Sequence, residues 1–192
     1  RVNECDARKN TDFMDRIILE TIDRVDGVIF ISNWLKSYFI NKGASKIKDS
    51  PVIYNGCNQN HFYPTEKNNS KLKLVTHHWS DNWLKGFDIY QAIDEYLEDN
   101  DSFEFTYVGR YSSLYTPKNT NLVSPLHGEE LGDELRKHDI YVTASRFEPC
   151  GMHHIEGACS GMPVLYHSQG GGIVEGCIQH GEQFSDFNEF LI

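Results

Sequence analysis

"DIYVTASRFEPCGMHHIEGACSGMPVLYHS", residues 139–168, is the stretch that decides the fold. Its two ends, DIYVTAS and PVLYHS, are short apolar runs with the look of covered strands, and its middle reads as a loop followed by a helix. Pro149 cannot donate to a ladder and Gly151 relieves the backbone, so residues 146–151 turn sharply at the carboxyl end of a strand. The helix runs from about Met152 to Cys159, where Ser160-Gly161 close it and Pro163 prevents its continuation. Two strands joined through a helix lie parallel, with a right-handed crossover.

The same alternation extends outward. TDFMDRIILETIDRV (11–25) places Phe13, Ile17, Ile18, Ile22 and Val25 on one helical face. GVIFIS (27–32) reads as a covered strand. NWLKSYFINKG is a helix with Trp34, Leu35, Tyr38 and Phe39 inward and Gly43 as its stop. SPVIYNG (50–56) is a second strand, and the polar, proline-bearing stretch 57–70 marks a domain boundary. Beyond it come a strand at 71–77, a helix from Gly86 to Leu97 with Phe87, Tyr90, Ile93 and Leu97 inward, and a strand at 103–109. NLVS, a helix near 129–137 and, after the triple glycine 170–172, a short helix near 173–179 complete the series. The expected class is α/β: a Rossmann-like parallel sheet with helices on both faces, plus the tail of a second such unit. Ligands of these sheets bind outside the carboxyl ends of the strands.

Bulk properties narrow the partners. With a formal charge of −10 over 192 residues, nucleic acid and anionic membrane surfaces are excluded as broad binding partners. A small anion remains compatible, because backbone dipoles and one or two cations can hold a phosphate against an unfavourable net charge. The five cysteines contain no CxxC pair, which argues against a zinc ribbon and a secreted disulfide framework. No run reaches the length of a membrane span and no signal-peptide core appears, so a cytoplasmic location is expected. The chain opens at Arg1 rather than methionine, so a piece of something longer is expected.

Within the central stretch, the N–H groups around residues 151–154 open a helix and form an anion site without a basic side chain, and glycine at 151 leaves room for a phosphate. Glu148 and Glu156 flank it. A carboxylate beside an anion needs donors, and sugar hydroxyls are suitable ones. Glu156 lies roughly 6–8 Å along the axis from the first amides, which suits the ribose of a nucleoside diphosphate. An alternative makes Glu148 a helix cap and Glu156 a solvated surface residue; the spacing alone does not separate the two.

Four ordered signatures do. Glu148 and Glu156 with seven residues between them, then Gly161-Met162-Pro163-Val164, then Gly171-Gly172-Ile173-Val174-Glu175, resemble the donor half of GT-B-fold retaining glycosyltransferases, specifically glycosyltransferase family four. DGVIFISNWLKSYF and PVIYNGCNQNHFYP resemble the end of that family's first domain and the interdomain crossing, and LKGFDIYQAI its lysine-glycine helix opening. The resemblance implies residues 1–60 as the remnant of an acceptor domain with the crossing, and 61–192 as a nucleotide-sugar-binding domain truncated at its C-terminus. It implies transfer of a sugar from a nucleoside diphosphate such as UDP to an acceptor hydroxyl with retention, in carbohydrate biosynthesis. Glu148 would contact the transferred sugar as the catalytic residue, and Glu156 the ribose. Lys85 and the amides of Gly151 and Met152 would hold the diphosphate, with Gly171, Gly172 and Glu175 completing the donor site. No metal or other cofactor is implied. The partners are the nucleotide sugar and an acceptor glycan, lipid or small molecule, with membrane contact only through parts outside this sequence. A donor-binding module that does not turn over, and another GT-B enzyme such as a sugar-nucleotide epimerase, are the alternatives.

The sequence departs from the family at THHWSDNWLKG (76–86), where His77, His78 and Trp79 stand in place of a glycine-arginine turn. Either His78 or Arg110 is expected to replace that arginine. Nine histidines invite a metal reading, but His77-His78 and His153-His154 are adjacent pairs whose side chains diverge. Asp99-Asn100-Asp101 reads as a solvated turn away from the donor, and Cys150 as packing or loop lining.

Overall fold

The computed structural model describes residues 1–192. Its frame is six parallel strands: β1 (Leu72–His78), β2 (Phe103–Gly109), β3 (Asn121–Val123), β4 (Ile140–Thr143), β5 (Val164–His167) and β6 (Gly181–Phe184). They lie in the order β3-β2-β1-β4-β5-β6. In that order the winding reverses between β1 and β4, and the crevice at such a reversal is where doubly wound sheets take their ligands.

Alternation along each strand feeds two cores. Leu74, Phe105, Tyr107 and Val142 point to one face, covered by α4 (Phe87–Asp99) through Phe87, Tyr90 and Ile93 and, at the edge, by α8 (Phe187–Phe190). Val75, Val108, Tyr141 and Val164 point to the other, covered by α5 (Gly128–Leu135) and α7 (Gly172–Cys177) through Leu131, Leu135, Ile173 and Cys177. α6 (His153–Cys159) lies on this second face, where Gly157 sits so close to the Tyr141 ring that an added Cβ would fall 2.4 Å from it. Burying these side chains at about 25 cal/mol per Å² of apolar surface is the main favourable term holding the layers together.

Residues 1–56 form a third core from α1 (Asp6–Lys9), α2 (Met14–Ile22) and α3 (Asn33–Asn41), around Val2, Cys5, Phe30, Leu35 and Phe39. Two expected strands shrink to a ladder of single bridges, Val2 to Phe30 and Phe30 to Val52. Ile53 and Tyr54 are 57% and 49% exposed, because no further strand covers SPVIYNG. On α2 the expected face is also turned. Phe13, Ile17 and Val25 are exposed, while Asp15 is buried with Ile22. The cause is polar: the Asp15 carboxylate accepts from the Asp6 N–H (2.9 Å) and the Tyr38 hydroxyl (2.6 Å), and this network sets the rotation of the helix. Residues 181–190, unassigned from sequence, form β6 and α8. No helix is long and apolar enough to cross a membrane.

Candidate functional site

At the reversal between β1 and β4 lies a cavity of about 680 Å³, within the range of small-ligand sites. Its walls include His77, His78 and Trp79 from the end of β1, Lys85, the loop Glu148–Met152 after β4, Glu156 on α6, and Arg1, Glu4 and Arg8 from the N-terminal segment.

Lys85 is delivered by a short 3₁₀ turn, Trp83–Lys85, which Asn82 caps by accepting from the Leu84 N–H at 2.9 Å. Gly86 follows at φ 97°, and a Cβ there would stand 2.2 Å from that of Ala144. Only glycine lets this turn lie on the end of β4, and that contact brings Lys85 beside Glu148. Its ammonium donates to Glu148 Oε2 at 2.5 Å.

Glu148 is aimed by two loops laced together. Phe147 adopts φ 53°, a left-handed conformation that costs a non-glycine residue roughly 1 kcal/mol or more. The Phe147 N–H donates to Gln169 O (2.9 Å), the Glu148 N–H to Gly170 O (3.2 Å), and the Gly172 N–H to Glu148 O (2.8 Å). A Cβ on Gly172 would fall 1.9 Å from Pro149 O. Gly171 and Gly172, expected in the donor site, do not line the cavity; they let one backbone approach another behind the Glu148 loop.

The Glu148 side chain is 5% exposed, with Lys85 on one oxygen and Arg8 Nε 3.1 Å from the other. Burial alone would raise its pKa, but Lys85 and then Arg8 overcome this and hold the carboxyl below its ordinary range. Burial draws the Lys85 ammonium down from its ordinary value, and Glu148 limits the fall.

Glu156 also faces the cavity, its Oε2 2.8 Å from His77 Nε2. The Tyr141 hydroxyl accepts from the His77 N–H at 3.2 Å and stands 3.1 Å from His77 Nδ1. The Glu156 carboxylate can only accept, so Nε2 carries the proton it receives, while the Tyr141 hydroxyl, which also donates to His77 O at 3.4 Å, braces the ring at Nδ1. Tyr141–His77 thus orients one oxygen of Glu156, a role not foreseen for either residue.

No intramolecular acceptor takes the N–H groups of Gly151, Met152, His153 or His154. Gly151 is needed for a different reason than expected: a Cβ there would meet the His153 ring at 2.5 Å. His78 lines the cavity but is fully buried, with Nε2 2.8 Å from the Tyr90 hydroxyl. Burial, then the nearby Lys85 charge, holds it well below the ordinary histidine pKa, so it is a neutral group and no stand-in for arginine. Arg110 does not fill that place either: its guanidinium lies 5.7 Å from the Trp79 ring centroid, outside the cavity. The arginine that does reach Glu148 is Arg8, far away in sequence, and no spacing signal marks it.

Glu175 also lies away from the cavity. Its carboxylate accepts from the Asn33 and Trp34 N–H groups (3.2 and 2.8 Å) and the Tyr54 hydroxyl (2.9 Å), capping α3. Cys150 packs in the N-terminal core, where burial raises its thiol pKa. His78 and His153 come together with ring centroids 4.8 Å apart, yet no set of three or more His, Cys, Asp or Glu side chains converges to hold a metal ion.

No family model matches the chain, and no curated protein matches it in sequence. Solved structures do resemble it. Sucrose-phosphate synthase from Thermosynechococcus elongatus superposes with a TM-score of 0.75 at 18% identity, over 95% of this chain and 52% of that one. TarM of S. aureus, solved with fondaparinux, α-GlcNAc-glycerol and UDP, gives 0.75 at 16% identity, over 96% and 40%. WaaG, a glycosyltransferase involved in lipopolysaccharide biosynthesis, gives 0.62 at 15%, over 81% and 48%. The fold is that of the GT-B glycosyltransferases. The chain spans about half the length of the first of these structures and less of the others, and at such identities the likeness speaks for the fold alone.

Proposed function

We propose that this chain is the nucleotide-sugar-binding half of a retaining glycosyltransferase, with residues 1–60 the tail of an acceptor domain and the crossing. One observation carries the reading. Lys85, Glu148, Glu156 and residues 151–153, whose amides have no intramolecular acceptor, meet in one cavity at the point where the strand order reverses. A nucleoside diphosphate sugar matches this set group for group. The diphosphate takes the amides and Lys85. Glu156, held by His77, accepts from the ribose, and Glu148 from the transferred sugar. Transfer breaks the bond between the sugar's anomeric carbon and the diphosphate oxygen and forms one to an acceptor hydroxyl oxygen, whose proton leaves on the departing diphosphate. Fixed N–H dipoles and the Lys85 charge stabilise the departing diphosphate without reorganising, which is the largest effect such a site can supply.

Calorimetry with UDP, GDP and ADP tests the binding part; no heat from any of them at millimolar concentration overturns it. Retention is tested by the anomeric configuration of the product, read by NMR with a chain long enough to turn over. The 52% and 40% coverage of the solved neighbours favours a second reading, in which this chain alone binds donor but does not transfer. Comparing its activity with that of a longer chain separates the two.

A further inference from the structure

We propose that Arg8, on the N-terminal helix α1, is a second cation for the donor's diphosphate, standing beside Lys85 on the other oxygen of Glu148. The proposal rests on the reading of the cavity as a nucleotide-sugar site and adds to it a residue from outside the donor domain.

Charge balance leads to it. A diphosphate carries multiple negative charges, and here it must settle beside Glu148, which is buried and ionised. Lys85, on Oε2, must divide its single charge between Glu148 and the ligand. Arg8 stands on the other oxygen, its Nε 3.1 Å from Oε1, and together with Lys9 it faces Glu4, so Lys85, Arg8 and Lys9 around the carboxylates of Glu148 and Glu4 leave one positive charge over for the ligand. Its Nη1 pairs with Glu4, while Nη2 has no partner in the structure. A planar guanidinium can bridge a carboxylate and a phosphate at once, which an ammonium does less well.

The placement of Arg8 is built, not incidental. Asp6, two residues earlier, accepts from the N–H groups of Met14 (2.9 Å) and Asp15 (3.1 Å) and so ties α1 to the start of α2. Cys5 is fully buried beneath it. Apart from Lys85, no other cation near the cavity pairs with Glu148. Arg146 is bound bidentately by Asp88 at 2.9 and 2.6 Å, Lys9 pairs with Glu4 at 3.3 Å, Arg1 is held by the neutral Asn55, Arg110 lies against Trp79, and His78 is neutral.

The test compares wild type, Arg8→Met and Arg8→Lys. UDP, GDP or ADP, whichever the wild type binds, is titrated by calorimetry, and the matching nucleoside by NMR. Loss of charge-assisted hydrogen bonds to phosphate in Arg8→Met lowers diphosphate affinity about 10- to 100-fold, with nucleoside affinity within about twofold of wild type. Arg8→Lys keeps the charge without the fork and gives an intermediate loss. A diphosphate-to-nucleoside ratio unchanged in either folded variant overturns the proposal, whether both affinities hold or both fall together as a purely structural role requires. Wild type that binds no nucleotide overturns the donor-site reading itself, and this proposal with it.

Discussion

Replacing Glu148 by glutamine keeps the shape of the side chain and removes its charge, which leaves Lys85 buried and without its counter-ion. The Lys85 and Glu148 side chains are 10% and 5% exposed and 2.5 Å apart, so solvent does little to replace the lost partner. Breaking a buried pair from one side costs about 3–5 kcal/mol, and the open cavity beside this one argues for the lower end, about 3 kcal/mol. For a chain of this size each kcal/mol moves Tm by roughly 2–4 °C, so Glu148→Gln lowers Tm by about 6–12 °C. Lys85→Met and the double variant close a thermodynamic cycle, read by urea denaturation, in which the coupling between the two sites reaches about 2 kcal/mol. Because Glu148 is held below its ordinary pKa, the pair stabilises fully above the unfolded carboxylate value of about 4.3. That stabilisation is lost as pH falls through the lower folded value. Glu148→Gln removes this part of the acid dependence. A variant within 1 kcal/mol of wild type, or additive single changes, would refute the claim that Glu148 and Lys85 form one electrostatic unit.

Three further outcomes are expected. Glu175→Ala removes the acceptors of the Asn33 and Trp34 N–H groups beside the Ser32 cap of α3 and costs about 1–2 kcal/mol in urea denaturation, with nucleotide affinity within about twofold of wild type; a tenfold affinity loss in the folded variant would return Glu175 to the donor site. Glu156→Ala weakens nucleoside diphosphate binding about 10- to 100-fold by calorimetry, whereas a folded Glu148→Ala binds the diphosphate nearly as well and fails to use the sugar; equal losses refute that division of labour. Burial holds His78 and His153 well below the ordinary histidine value and His154 down to about 4, so below about pH 6.5 the unfolded chain takes up protons the folded one refuses. Stability measured by urea is then lower at pH 5.5 than at pH 7.5, and a flat profile contradicts neutral burial of the three rings.

Much of the site was legible in the sequence because the positions that carry it follow strand ends. Lys85 comes after β1, and Glu148 through Met152 after β4, so a correct assignment of the strands places them together at the ligand-bearing edge. Proline and glycine at 149, 151, 161 and 163 announce the turns, and the turns bring the neighbouring groups to one rim. What failed, failed where a local pattern admits two partners. The Gly-Gly and the glutamate of GGIVE look like one ligand-binding signature, yet the glycines serve a backbone approach to Pro149 and Glu175 caps a helix some 140 residues earlier in the chain. The apolar stripe of α2 fits the helical period, but a buried hydrogen-bond network at Asp15 turned it the other way.

The sequence by itself therefore determined the alternation of strands and helices, the parallel sheet and the loops that line its rim, because period, turn residues and caps act over a few neighbouring positions. Only the tertiary structure decided which charges meet. It set Arg8 against Glu148, His77 against Glu156, and the strained Phe147 beneath the catalytic candidate. Electrostatic pairing depends on separation in space and on burial, and neither is written in the spacing of residues along the chain.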